Sequence, residues 1–478
     1  MSEYTNVEHP FLEKLREIKW QVIDKGSGGI PQDPAESMRT SFSEVVLKDE
    51  FFKKLGELNP WITAEQKEYC YHKITDIDKP LTDANREIHN MLLEGIHLLT
   101  KNEQTGEENP TAKIINFDNY KKNSFIAINQ FRVDTNNTKP FIIPDIVCFV
   151  NGLPLVVIEC KDENVSEPMS EAYDQIKRYA NQRVTEDPFA DGISEGCERL
   201  FHTNLFSVIT RGVEARCGTI SADFDFYLNW KDIFPEEYAE GTNINPAERQ
   251  EILIKGMFNH EILIDIYRNF TLFMQKGDNT VKIICRYQQY RAVGKMIRRL
   301  QSGTDWRSRS GVIWHTQGSG KSLTMVFLVK KMRRIADLRD YRILMVVDRH
   351  DLEDQLAETA EYTGELRHDP MTKKVQNIVE NRQALVKLEG DTADLNLVMI
   401  HKFGENKEYS LESLINAGIV PQYESFPVIN ESPKILVLID EAHRSQGGEM
   451  GDNLFQAFPN AARIGFTGTP LITPRHKA

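Results

Sequence analysis

GVIWHTQGSGKSLTMVFLVKK, residues 311–331, decides how this chain folds. Val312 to Trp314 is an apolar run of strand length and reads as a short buried strand. Thr316, Gln317, Gly318, Ser319, Gly320, Lys321 and Ser322 follow as a glycine-rich loop. Leu323, Met325, Val326, Leu328 and Val329 then recur at helical spacing. A loop between strand and helix turns backbone N–H groups at the helix start toward phosphate, and the helix dipole favours the negative charge. Lys321 is set to reach the terminal phosphates and the Ser322 hydroxyl to ligate Mg²⁺. The full pattern has a glycine where this chain has His315, so the loop alone is a partial match.

Three further stretches complete it. KILVLIDEAHRS, residues 434–445, is an apolar strand ending on Asp440 and Glu441. Two carboxylates at the end of a buried strand are costly unless something pairs with them. Mg²⁺ on Asp440, with Glu441 polarising a water against the terminal phosphate, accounts for both. GFTGTP at 465–470 follows another strand, and RILMVVDRHDLEDQ at 342–355 puts a strand before Asp348 and Arg349.

HTQGSGKS, VVDRHDLEDQ, IDEAHRS and GFTGTP, in this order, resemble the first-lobe motifs of superfamily 2 helicases and translocases. That family accepts a residue other than glycine at the position of His315. It also reads adenine with a glutamine three residues before Ala-Val, as Gln289 stands before Ala292 and Val293. The resemblance implies ATP as cofactor, bound by Gln289, residues 316–322 and Asp440. It implies a RecA-like P-loop lobe with parallel strands at 312–314, 342–347, 396–400, 435–440 and 463–466, ATP lying at their carboxyl ends. Thr467 and Thr469 would relay nucleotide state to a DNA track.

The 478 residues suit two to four domains, and a hydrophobic content of 40% is ordinary for a globular protein. No stretch has the length of a membrane span, and Glu3, Glu8 and Glu13 in a mixed polar run rule out a secretory signal. The six cysteines form no CxxC pair, which suits a reducing cytoplasm. The net charge of −13 argues weakly against nucleic acid, but binding depends on local patches. Arg286, Arg291, Lys295, Arg298, Arg299, Arg307 and Arg309 form one basic stretch, and Lys330, Lys331, Arg333 and Arg334 another. Each also reads as a solvated helix face.

Residues 1 to about 60 show no strong period, apart from helix-spaced apolar residues in SFSEVVLKDEFFKKLGELNPWI that stop at Asn59-Pro60. AEQKEYCYHKI and ANREIHNMLLEGIHLL read as helices. From Lys113 the period changes to strands: AKIINFD, NSFIAINQFRVD, PFIIPDIVCFV and LPLVVIECK. SEAYDQIKRYANQ reads as a helix and LFSVITRGVEARCGTI as more strand. The polar stretch PEEYAEGTNINPAERQ suggests a boundary near 240, dividing the chain into 1–240 and 241–478, with EILIKGMF and EILIDIYRNFTLFMQ as helices beyond it.

The second constellation lies in PFIIPDIVCFVNGLPLVVIECK, residues 140–161. Glu159 and Lys161 alternate on one strand and leave the same face, with Cys160 opposite. Asp145 lies on the preceding strand. Pro144-Asp145 with Glu159-x-Lys161 is the PD-(D/E)xK nuclease pattern. Asp145 and Glu159 would hold Mg²⁺, helped by the Cys160 carbonyl. Lys161 would orient the attacking water and steady the phosphate's developing charge. A two-residue Asn-Gly turn pairs Asp145 with Ile158 and puts Asp145 and Glu159 on opposite faces. The site therefore demands a longer connection or a bulge near Asn151–Leu153. Gln175 and Tyr179, four apart on one helix face, either brace the site or meet the DNA backbone. After PD…ExK they match a glutamine–tyrosine signature of one branch of these nucleases.

The expected fold class is α/β, a restriction-endonuclease-like mixed sheet with helices followed by the RecA-like lobe. This order resembles the restriction subunit of type I restriction-modification enzymes. The resemblance implies double-stranded DNA as substrate, cutting far from the recognition site, and methyltransferase and specificity subunits as partners. It also implies a second motor lobe with an arginine finger. The sequence stops at Ala478, soon after GFTGTP, and so reads as an N-terminal fragment with feeble ATP turnover. Two alternatives stay open: a nuclease–helicase without a methylating partner, and an ATP-gated DNA-binding module that does not cut.

Overall fold

The computed structural model describes residues 3–102, 104–137, 139–183, 194–237, 249–277, 279–316, 318–347, 360, 362, 378–379, 385, 387–390, 392–403, 426–440 and 449–468. Its contacts divide the chain into Met1–Tyr287 and Gln288–Ala478.

The first unit contains α1 (His9–Glu17), β1 (Gln21–Ile23), α2 (Lys48–Leu58), α3 (Ala64–Thr75) and α4 (Leu81–Glu94). After them come β2 (Phe125–Asn129), β3 (Ile146–Val150), β4 (Leu153–Cys160), α5 (Pro168–Tyr179), β5 (Phe206–Thr210) and β6 (Ala215–Gly218). The six strands form one sheet in chain order. β1–β2 and β4–β5 are parallel, and the other pairs are antiparallel. Every residue of β2, β3, β4 and β5 is buried, which is why these strands read as near-continuous apolar runs.

The β3–β4 hairpin decides the geometry of the site. Val150 pairs with Leu153 across Asn151 and Gly152, and Phe149 with Pro154, but Cys148 pairs with Val156. Leu155 is therefore an extra residue on β4, a bulge slightly beyond the expected place. Past it the register runs Val147 to Val157 and Ile146 to Ile158, so the next pair sets Asp145 opposite Glu159 on one face.

Gly152 holds this turn at φ +81°, where an added Cβ would meet the Leu47 carbonyl oxygen at 2.6 Å and the Phe51 nitrogen at 2.8 Å. Gly152→Ala should cost about 2 kcal/mol or more in chemical denaturation, since a strained φ and a backbone clash add. A loss below about 0.5 kcal/mol, the size of an ordinary surface substitution, would contradict this account of the turn.

Several sequence expectations are corrected. The first 60 residues do carry order: Tyr4–Glu8 and α1 form a helical segment burying Val7, Phe11, Leu12 and Leu15. AKIINFD pairs only at Thr111–Ala112. Side-chain amides replace the ladder beyond it: Lys113 N–H donates to Asn59 Oδ1 at 2.8 Å and Asn116 N–H to Asn123 Oδ1 at 2.8 Å. The reading of EILIDIYRNFTLFMQ as one helix holds only for α6 (His260–Asn269). TLFMQ begins β7 (Thr271–Lys276), which pairs antiparallel with β8 (Asn279–Ile284) beside Gly277 at φ +60°.

The expected boundary near 240 falls outside the described residues. The described residues between 249 and 287 pack into the first unit. Trp20 Nε1 donates to the Phe258 carbonyl at 2.8 Å, and Lys282 Nζ to Asn85 Oδ1 at 2.9 Å.

The second unit starts with α7 (Tyr287–Ser302), β9 (Gly311–Trp314), α8 (Lys321–Met332) and β10 (Arg342–Val347). β11 (Ile378–Val379), β12 (Leu395–Met399), β13 (Ile435–Ile439), α9 (Glu449–Ala457) and β14 (Ala462–Thr467) complete it. Its sheet is parallel throughout, in the order β9-β14-β13-β10-β12-β11. All five expected strands occur within a residue or so of their expected bounds. β9 is not buried as expected: it lies at the edge of the described sheet, with Val312 and Trp314 55% and 67% exposed. Among the described residues no helix is long and apolar enough to cross a membrane. All six cysteines are free and buried.

Candidate functional site

The first site sits where β3 and β4 emerge from the bulged hairpin. Cys160 N–H donates to Asp145 Oδ2 at 2.7 Å, which ties the aspartate to the Glu159–Lys161 backbone. Lys161 Nζ donates to Glu159 Oε1 at 2.8 Å and to the Cys160 carbonyl at 3.1 Å. All three side chains are buried, Glu159 to 2% exposure.

Burial pushes the Asp145 carboxyl up to about 6, against the pull of Lys161. Glu159 is raised well above the ordinary range, by burial and then by the Asp145 charge. For Lys161, burial alone would lower the ammonium's pKa, but Glu159 and Asp145 outweigh it and the net shift is upward.

These residues fit a divalent cation. Glu159 Oε2 is buried with no hydrogen-bond partner, beside a second buried carboxylate. Among the described residues no group of three or more His, Cys, Asp or Glu side chains is placed to hold a metal. Mg²⁺ asks for less than that, since it usually takes one or two carboxylates and completes its shell with water and substrate phosphate.

Gln175 and Tyr179 do share a face of α5. Gln175 Nε2 donates to the Tyr179 hydroxyl at 2.7 Å, and that hydroxyl donates to the Ile143 carbonyl at 3.0 Å. The tyrosine is thereby a buried strut, 2% exposed, against the segment that leads into Asp145.

Sequence reasoning missed the N-terminal carboxylates. Glu3 Oε2 accepts from Asp162 N–H at 3.2 Å, and its charge acts on Asp145, Glu159 and Lys161. Glu8 is buried under Asn129, the last residue of β2, and Gln130, which follows it. The available signal was the helical spacing of Val7, Phe11, Leu12 and Leu15.

Burial, then the Asp145 charge, raises Glu8 to about 8 from an ordinary value of 4.5. A carboxyl raised on folding contributes stability that is complete below its unfolded value and is lost as pH rises through the folded one. Asp145 acts in the same direction through about 6. Without divalent cations, the melting temperature should therefore fall between about pH 5 and pH 9. Glu8→Gln should flatten the upper part of that curve, and a melting temperature that climbs with pH would refute the assignment.

The second site follows β9. Gly318 and Gly320 lie at φ +75° and +82°, and α8 starts immediately after. Gln289, 2% exposed, donates from Nε2 to the Gly320 carbonyl at 3.0 Å, and a Cβ on Gly320 would stand 2.6 Å from that nitrogen. Ser319 Oγ donates to the Thr316 carbonyl at 2.5 Å and Thr324 Oγ1 to the Gly320 carbonyl at 3.0 Å, closing the loop on itself. His315 is buried and its N–H donates to the Thr467 carbonyl at 3.0 Å, while Trp314 Nε1 donates to the Gly468 carbonyl at 3.1 Å.

Asp440, 7% exposed, leaves the carboxyl end of β13. Because the sheet is parallel, it lies on the same edge as Lys321 and Ser322 after β9 and Thr467 at the end of β14. Gln317, Glu441, Thr469 and the stretch DRHDLEDQ lie outside the described residues. Arg309 does not belong to a solvated basic face: it is 8% exposed and donates to the Tyr341 hydroxyl at 2.8 Å and the Pro433 carbonyl at 2.7 Å.

Residues 1–226 match the family described as the type I restriction enzyme R protein N terminus, and residues 288–478 match the SWI2/SNF2 ATPase family. The HindI endonuclease subunit of a type I restriction enzyme from Haemophilus influenzae is 30% identical over 98% of this chain and 43% of its own length. The chain belongs to the type I restriction enzyme R-protein family. A putative type I endonuclease subunit, MjaIXP, from Methanocaldococcus jannaschii is 27% identical over 97% of the R-protein chain and 42% of its own length. The chain thus spans less than half the length of these two relatives. Among solved structures, the SWI2/SNF2 ATPase core of Sulfolobus solfataricus in complex with dsDNA matches 38% of this chain and 31% of its own at 16% identity, with a TM-score of 0.25, a likeness too slight to carry weight.

Proposed function

We propose that this chain carries the nuclease and the first ATPase lobe of a type I restriction enzyme. It would cleave double-stranded DNA with Mg²⁺ while an ATP-driven motor moves the DNA, away from the recognition site. The observation that carries the nuclease half is the 2.7 Å hydrogen bond from the Cys160 N–H to Asp145, made possible by the bulge at Leu155.

Asp145 and Glu159 would hold the cation through the carboxylate oxygens that remain. Bound there, Mg²⁺ would supply charge stabilisation at the scissile phosphate and acidify a water. Lys161 orients that water and opposes charge developing on the phosphate. Tyr179, held by Gln175, keeps the segment before Asp145 in place. In the motor, Lys321 and the loop N–H groups bind phosphate, Ser322 and Asp440 hold Mg²⁺, Glu441 orients water and Gln289 recognises adenine. Methyltransferase and specificity subunits are the partners this reading requires, and the compartment would be the cytoplasm.

The test is Asp145→Asn in the full-length subunit assembled with its partners. DNA breakage should fall by about 10²-fold or more with ATP hydrolysis retained. Cleavage at the unaltered rate would take Asp145 out of the chemistry, and DNA binding with ATP hydrolysis but no cleavage even by the unaltered enzyme would favour the ATP-gated binding module. Purification without any methyltransferase would instead favour the free-standing nuclease–helicase.

A further inference from the structure

The apolar pattern of β3 and β4 does not select the pairing that the nuclease site needs. Every residue of both strands is buried, and apart from Glu159 both faces are lined by apolar residues. A register is strongly specified only where one face differs from the other. Continued without a bulge from Val150–Leu153 and Phe149–Pro154, the hairpin would pair Cys148 with Leu155 and Asp145 with Ile158. It would also keep the ladder bonds that a bulge disrupts. The observed register therefore needs support from outside the hairpin.

The turn before β5 supplies it. Thr203 Oγ1 donates to the Pro154 carbonyl at 2.7 Å. Leu205 N–H donates to the Leu155 carbonyl at 2.7 Å. Asn204 Nδ2 reaches that same carbonyl at 3.3 Å and the Phe206 carbonyl at 2.9 Å. In a regular strand successive carbonyls point to opposite neighbours. Here two successive carbonyls are taken by one segment, on the two residues where the pairing shifts. Thr203 and Asn204 are buried, and Asn204 Oδ1 has no hydrogen-bond partner, so the amide is held through its donor end. The turn is anchored from behind. Asn85 of α4 turns Nδ2 to the carbonyls of Phe201, His202 and Asn204 at 2.8, 3.1 and 2.9 Å. Lys282 of β8 donates to Asn85 Oδ1 at 2.9 Å and to the Asn204 carbonyl.

We propose that Thr203 and Asn204 are positioning residues of the nuclease site: by holding the carbonyls of Pro154 and Leu155 toward one segment they keep the bulge in place, and with it Asp145 opposite Glu159. The inference rests on the nuclease reading. Neither residue belongs to the donor set for the cation, and each acts through the β4 backbone. Without their grip the hairpin relaxes toward the unbulged pairing, which turns Asp145 to the face away from Glu159. The two carboxylates that share a cation are then parted.

Calorimetric titration of the full-length subunit with Mn²⁺ alone, without nucleotide or DNA, tests this. Thr203→Val keeps the branched shape and removes the hydroxyl, and Asn204→Ala removes the amide. Each should weaken Mn²⁺ binding by about 10-fold, the lower end for residues that orient metal ligands, and Asp145→Asn at least as much. Thr203→Ser keeps the hydroxyl and should bind Mn²⁺ as the parent does. In the assembled enzyme, Thr203→Val should also raise the Mg²⁺ concentration needed for half-maximal cleavage. A mere loss of folded protein would lower the maximum and leave that concentration alone. If one variant fails to fold, the other decides. Unaltered Mn²⁺ affinity in a folded variant, with Asp145→Asn weakened, overturns the positioning role and leaves the nuclease reading intact. A Thr203→Ser subunit as weak as Thr203→Val overturns it as well. Unaltered affinity in Asp145→Asn overturns the nuclease reading itself.

Discussion

Lys161→Ala in the full-length, assembled enzyme will lower DNA cleavage by about 10²- to 10⁴-fold, the range for a positioned acid–base group, and leave ATP hydrolysis running. Lys161 is the only side chain placed to donate to Glu159 in the described site, and it does so at 2.8 Å from an almost fully buried position. Its loss also strands a buried carboxylate, which costs about 3–5 kcal/mol where no other partner steps in. The melting temperature must therefore be measured beside the cleavage assay. A folded Lys161→Ala enzyme that still cuts DNA at the parental rate would remove lysine from the chemistry and, with it, the reading of Glu159-x-Lys161 as catalytic.

The complementary result is expected at the other site. Lys321→Ala should reduce ATP hydrolysis by about 10²- to 10³-fold, the cost of removing one preorganised charge from a site of phosphoryl transfer. Cleavage at a distance should fail with it, because no DNA is delivered to the nuclease. The two variants thus separate the activities in one direction only: without Lys161 the motor runs and nothing is cut, and without Lys321 neither occurs. Full cleavage by a Lys321→Ala enzyme with abolished ATP turnover would show that cutting needs no motor and would refute the coupling. The position of Lys321 at the first residue of α8, after two left-handed glycines, is what makes its loss so costly. A positive charge carried on the first residue of the helix adds to the field of the helix N–H groups.

What the amino-acid order determined by itself is local. Gly318 and Gly320 between an apolar strand and an apolar helix mark a tight left-handed turn, because only glycine takes φ values of +75° and +82° without a Cβ penalty. The parallel strands were legible because strands buried on both faces are continuous apolar runs. Glu159 and Lys161 share a face because the side-chain period of a strand is two.

The tertiary structure alone decided whether Asp145 would join them. That depends on one extra residue, Leu155, whose insertion turns the pairing by a single step and so turns a face. Leu155 itself is as apolar as its neighbours, and Pro154 before it, without an N–H for the ladder, is compatible with a bulge without fixing its position. The same holds for Glu8 and Gln130, which are far apart in the chain and meet over β2 only when the N-terminal helix packs down. It holds too for β9, whose apolar Val312 and Trp314 look buried in sequence but lie on an edge. Hydrophobic periodicity reports which face of an element is apolar, whereas register, bulges and edges are settled by pairing between distant segments.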